Sequence, residues 1–145
     1  LIDSVTFGHQ LPDLSIGRTD PDGRWRLTIP TFGQANVIQG LGDPAAVRIN
    51  EWLAGAEVLF VHDFIELFNP SDWPVDLAGY YLTDNPTSQP DKAEMRPLNF
   101  ISPWGFAVFE ANDDGKPEHI SLGLSTDGEM IGLFDPDRDV MDRVI

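Results

Sequence analysis

The chain has 145 residues, 41% of them hydrophobic, with nine Phe, four Trp and two Tyr, and 24 acidic against nine basic side chains give a net charge of −15. That length suits one domain and excludes two full sandwiches, while the apolar and aromatic content suffices for one core and excludes a disordered chain. The charge argues against binding phosphate backbones or anionic membranes, and the absence of cysteine excludes disulfides, thiolate metal sites and thiol nucleophiles.

In chain order, strands are predicted near residues 1–7, 24–29, 47–53, 63–68, 79–83, 104–110, 118–122, 130–134 and 139–145. The separators carry turn chemistry: Pro21-Asp22-Gly23, Asn69-Pro70-Ser71-Asp72, Asn112-Asp113-Asp114-Gly115, Thr126-Asp127-Gly128 and Asp135-Pro136-Asp137-Arg138. Helix is expected to be nearly absent, apart from a short turn around Pro44 to Val47, and many short strands at such spacing mark a sandwich or barrel. Strand parity sets Ile65 and Leu67 on one face against Phe64, Glu66 and Phe68, and Ile131 and Leu133 against Met130 and Phe134. Both faces carry apolar groups, so an outer cover is expected, and residues 1–36 are the candidate for it. No apolar run approaches the ~18 residues of a membrane span, and membrane insertion is not expected.

Four words stand in sequence between Ile49 and Asp84: Ile49-Asn50-Glu51, Phe64-Ile65-Glu66-Leu67-Phe68-Asn69-Pro70-Ser71, Val75-Asp76-Leu77-Ala78-Gly79 and Tyr81-Leu82-Thr83-Asp84. With His119-Ile120-Ser121-Leu122 and Gly128-Glu129-Met130-Ile131-Gly132-Leu133-Phe134-Asp135 downstream, they resemble the bacterial lamin-tail domain family. The resemblance implies an all-β, immunoglobulin-like β-sandwich of lamin-tail type, used mostly as an interaction module, and a fold alone does not fix an activity. It also implies a cell-surface or extracellular setting.

The resemblance extends to residues 1–36 through Asp13-Leu14-Ser15-Ile16-Gly17-Arg18, Asp20-Pro21-Asp22-Gly23, Trp25 and Thr31-Phe32-Gly33-Gln34-Ala35-Asn36, with Phe32 where the family usually has proline. These residues look like the end of one repeat, 37–46 like a linker and 47–145 like most of the next sandwich. The opening Leu1 to Phe7 and the closing Val140 to Ile145 share an aliphatic pair, an Asp, a polar residue and an aliphatic residue in register. A piece of a tandem array is the expectation, and the first residue being Leu rather than Met points the same way. The plainer alternative is a single domain whose edge strands share a common pattern. The arm is expected to fill the place of the sandwich's last strand, within its own chain or by exchange, so the partner is a neighbouring repeat or another protein and the state a monomer or an arm-swapped oligomer.

Glu51 and Glu66 are the sharpest chemical candidates, because both stand in strand phase and paired carboxylates can serve as acid and base. The structural reading places them with Asn50, Asn69 and Arg18 in a polar cluster, where Arg18 or Arg48 clamps a carboxylate. Asp20, Asp22, Asp113, Asp114, Asp135, Asp137 and Asp139 could aim carboxylates at calcium, although none completes a twelve-residue calcium loop. His9, His62 and His119 are too scattered for zinc, and no nucleophile elbow or phosphate loop occurs. Trp25, Trp52, Trp73 and Trp104 are either core or loop plugs or an aromatic platform for sugars. The reading is a non-catalytic structural or interaction module, with no cofactor, of a larger bacterial protein. The alternative is a calcium- or carbohydrate-binding accessory domain of a secreted enzyme.

Overall fold

The computed structural model describes residues 2–57, 62–112, 116 and 119–145. The N-terminal region carries its own antiparallel three-stranded sheet, β1 (Ser15–Thr19), β2 (Arg24–Ile29) and β3 (Val37–Ile38), in the order β1-β2-β3. Pro21-Asp22-Gly23 makes the first hairpin's turn: Gly23 has φ +65°, and its N–H donates to the Thr19 carbonyl at 2.9 Å. Residues 2–7 form no strand. This corrects the strand expected at residues 1–7, whose first residue lies outside the described chain: Ile2, Val5 and Phe7 are exposed and no neighbouring strand offers a ladder. The missed strand is β1, where Ser15 and Gly17 dilute the apolar pattern.

A short 3-10 turn, Pro44–Ala46, leads into the sandwich, with the Asp43 side chain accepting from the Ala45 N–H as its cap. Ten strands follow: β4 (Arg48–Leu53), β5 (Phe64–Phe68), β6 (Val75–Asp76), β7 (Tyr81–Thr83), β8 (Ala93–Glu94), β9 (Phe100–Ile101), β10 (Phe106–Ala111), β11 (His119–Ile120), β12 (Ile131–Phe134) and β13 (Val140–Val144). One sheet has the order β11-β10-β5-β4, the other β13-β12-β7-β8, and β6 pairs with β9 between them in sequence. Only β10 with β11 is parallel among these pairs. Gly79, with φ +78°, allows the turn in which the Tyr80 N–H reaches the Leu77 carbonyl at 3.1 Å, a conformation a Cβ would strain.

The core lies between the two four-stranded sheets. Ile65, Leu67, Ala107 and Phe109 point into it from one sheet and Leu82, Ala93, Ile131 and Leu133 from the other, with Val75, Leu77, Met95 and Ile101 filling the ends. Strand parity thus held for β5. It held less simply for β12, where all four residues are buried. There the ring of Phe134 folds over Gly132 beside Pro86, so the outer face is covered by the sandwich's own loop.

The arm does not provide that cover, and it does not pair with β13, whose ladder is to β12. It docks at the end of the sandwich. The Gly8 N–H donates to the Pro97 carbonyl at 3.0 Å, and the Phe100 N–H donates to the His9 carbonyl at 3.0 Å. Leu27, Leu98 and Phe100 form a second apolar cluster joined by Leu11, Leu14, Ile16 and Trp25. Residues 97–100 offer the arm backbone partners beside the apolar side chains of Leu98 and Phe100, whereas the ladder of β13 is to β12.

Candidate functional site

β4 and β5 bring Glu51 and Glu66 directly opposite each other, after a bulge at Asn50 that interrupts the register between Ile49 and Glu51. The Asn50 amide donates to Glu66 Oε1 at 2.7 Å. Among the described residues no basic side chain forms a salt bridge with either glutamate. Arg48, on the same strand, directs its guanidinium to the Ala45 and Val47 carbonyls at 2.8 and 2.7 Å. The pair sits on the outward face of its sheet, without the cleft that acid–base chemistry would use.

Arg18 is not part of this cluster. Its guanidinium pairs with Asp3 at 2.7 Å, donates to the Gly23 carbonyl at 3.0 Å and lies over the Trp25 ring, 4.4 Å from its centre. It clamps the arm to itself, because β1 and β2 place Arg18 opposite Trp25. Asn69 also stands apart, fully buried, where it organises the turn after β5. Its amide donates to the carbonyls of Trp73 at 2.8 Å and Ser102 at 3.0 Å, and its Oδ1 accepts from the Ser71 N–H and hydroxyl at 3.1 and 2.7 Å. The five-residue polar cluster of the sequence therefore resolves into three separate arrangements, since strand parity ranks faces but does not tell which loop returns to which strand.

Two of the acidic turns are tied by local bonds. Asp22 binds Arg26 at 2.6 Å, and this hydrogen bond, aided by the Arg24 N–H, holds its carboxyl well below the usual range. Asp135 Oδ1 accepts from the N–H groups of Asp137 and Asp139 at 2.9 and 2.8 Å, which is turn geometry. Asp20 is exposed beside the hairpin. Asp113 and Asp114 lie outside the described residues. Among the described residues no three His, Asp or Glu side chains gather as a metal site would require.

Two features were not legible in the sequence. Phe68, Trp104 and Phe106 form an aromatic group on the outward face of β5 and β10: Phe68 and Phe106 stack at 4.8 Å, and Trp104 tilts against Phe68 at 6.4 Å. Trp104 and Phe106 are 58% and 55% exposed, too open for core plugs. Trp25, by contrast, is partly buried in the arm cluster. The second feature is Asp76, partly buried near the arm, where Oδ1 accepts from the N–H groups of Ala78 and Asn99 at 3.0 and 3.2 Å. Burial pushes its carboxyl above the usual 3.8 despite those bonds.

A raised folded-state value means that the native protein binds more protons than the unfolded chain, so Asp76 favours folding less as pH rises through that window. Asp76→Asn keeps the acceptor and removes the charge. Its stability relative to the parent is expected to improve between about pH 3 and about pH 7, as read by urea unfolding at each pH. A constant difference across that range would mean that the carboxyl is not displaced.

Two packed, mostly antiparallel sheets with a solvent-facing polar and aromatic face, and no enclosed catalytic cleft around the candidate carboxylates, define an immunoglobulin-like β-sandwich module. A model of the lamin tail domain family matches residues 42–145, and the chain belongs to that family. The family is one of structural immunoglobulin-like domains that are not typically catalytic. No curated protein and no solved structure matches the chain. No helix among the described residues is long and apolar enough to cross a membrane.

Proposed function

We propose that the chain is a non-catalytic spacer and protein-binding module of a larger multidomain bacterial protein, working at the cell surface or outside the cell. The observation that carries this reading is the docked arm. Backbone bonds from Gly8 and His9 to residues 97–100, the Gly42 N–H to the Pro74 carbonyl at 2.8 Å, and the Leu27, Leu98 and Phe100 cluster seat it on the sandwich. A spacer needs such a stiff joint, whereas an enzyme needs a cleft. In this reading the arm is the tail of a neighbouring repeat and residues 47–145 are the sandwich it rests on.

Leu27→Ala tests the joint. Truncating this 2%-exposed side chain is expected to cost about 2–3 kcal/mol, towards the lower end for buried leucines because the cluster is small. Hydrogen exchange is expected to accelerate together in β1, β2 and residues 97–100, with the centre of β5 still protected. Arm amides that already exchange freely in the parent protein would show a loose tail and remove the spacer reading. Melting temperatures in millimolar calcium and in chelator are expected to coincide, since Asp22 is paired with Arg26, Asp135 accepts from its own turn, and no three acidic or histidine side chains gather among the described residues. A calcium-dependent rise would favour the accessory-domain alternative.

A further inference from the structure

The outward face of β4, β5 and β10 combines two properties that folding alone does not require. The first is exposed aromatic surface with fixed orientation. Trp104 has φ +52°, in the left-handed region that bulky residues avoid. It is held there by its N–H to the Ser71 carbonyl at 3.2 Å and by its indole N–H to Asp72 Oδ1 at 2.9 Å. The ring so placed faces solvent beside the stacked Phe68 and Phe106, and Val108 extends the apolar surface along β10. Glycine or asparagine would satisfy this backbone at lower cost, so the ring itself is the feature in need of an explanation.

The second property is charge. Glu51 and Glu66 face each other across the β4–β5 ladder, and like charges in opposed positions disfavour the pairing. Asn50 donates to Glu66, and Arg48 is engaged with backbone carbonyls. The surrounding protein is acidic, since residues 37–145 hold 20 acids and six bases. On β5, Glu66 and Phe68 are two residues apart on one face, a separation of about 7 Å. The side chains at alternate positions of an extended polypeptide have the same spacing.

We propose that this face binds an extended basic segment of a partner protein. An aliphatic side chain covers Phe68, Trp104 and Phe106, and a lysine or arginine two residues away neutralises Glu51 and Glu66. Aromatic anchors inside a charged border are the usual arrangement of a protein-binding hot spot, and charge complementarity selects a cationic partner. The inference rests on the reading of the chain as an interaction module, but it concerns the outward face of β4, β5 and β10 and not the contacts of the arm with residues 97–100, so either can fail without the other.

The test uses the whole chain and a labelled peptide in which lysine and leucine alternate at every second position, separated by threonine, with a glutamate-for-lysine version as control. Binding by fluorescence anisotropy is expected for the lysine peptide alone and is expected to weaken with salt. Trp104→Asn, which suits the left-handed backbone, is expected to leave the melting temperature nearly unchanged and to weaken binding about tenfold or more. The double variant Glu51→Gln, Glu66→Gln is expected to weaken binding, remove most of its salt dependence and raise the melting temperature slightly. The proposal is overturned by equal binding of both peptides, by undiminished binding to Trp104→Asn, by collapse of the fold in that variant, or by no binding at millimolar peptide. Binding of a neutral oligosaccharide through Trp104 in place of the peptide would also overturn it and assign the rings to sugar. Failure here with a protected arm leaves the spacer reading standing; a freely exchanging arm with intact peptide binding does the reverse.

Discussion

Asn69→Asp is expected to destabilise the protein by about 3–5 kcal/mol at neutral pH, more than Asn69→Ala at about 2–4 kcal/mol, although aspartate is closer in shape. Asn69 is fully buried, and its amide nitrogen faces the carbonyls of Trp73, Ser102 and, at 3.4 Å, Ile101. Aspartate puts a carboxylate oxygen where those carbonyls need a donor, so three acceptors confront a buried charge. Alanine removes the donor but adds no charge. Protonation would restore one donor, so the aspartate variant should recover part of its loss on acidification, since its folded-state affinity for a proton would exceed that of the unfolded chain. Urea unfolding at neutral and mildly acidic pH reads both effects. Equal stabilities of the two variants at neutral pH would show that Asn69 acts through shape and that its hydrogen bonds carry little.

Phe109→Ala is expected to cost about 3–5 kcal/mol, whereas Phe106→Ala, three residues earlier on the same strand, is expected to cost less than about 1 kcal/mol. Phe109 is 1% exposed, lies between the sheets and meets the His9 ring edge-on at 4.9 Å, so its removal leaves a cavity that the close-packed interior fills only in part. Phe106 points outward and loses chiefly its stacking on Phe68. A shift in urea midpoint with an unchanged slope would assign the loss at Phe109 to native packing. Similar costs at the two positions would contradict the assignment of inner and outer faces on β10.

The long, strongly alternating strands were readable in advance. Arg24–Ile29, Phe64–Phe68 and Ile131–Phe134 lie within a residue of their predicted bounds, because turn residues flank each run, and in Phe64–Phe68 parity also distinguishes the faces. Val37–Ile38, Val75–Asp76, Ala93–Glu94 and Phe100–Ile101 were not, since two residues carry no period. At the candidate site, the opposition of Glu51 and Glu66 was anticipated from strand phase, whereas the partner of Arg18 was not. Arg18 turns to Trp25, which the β1–β2 hairpin places opposite it, and to Asp3 of the segment that precedes the hairpin.

By itself, the amino-acid order determined the all-β class, the turns, the acidic surface and the inward-facing residues of the longer strands. These follow from local backbone preferences and from side-chain alternation, which act over a few neighbouring residues. Tertiary structure alone decided that the arm docks on residues 97–100, that Asn69 serves carbonyls more than 30 positions away, and that Trp104 stands exposed beside Phe68. Each depends on which distant backbone groups remain unpaired and which apolar surface remains uncovered once the sheets have closed, and that competition is settled only in the folded chain.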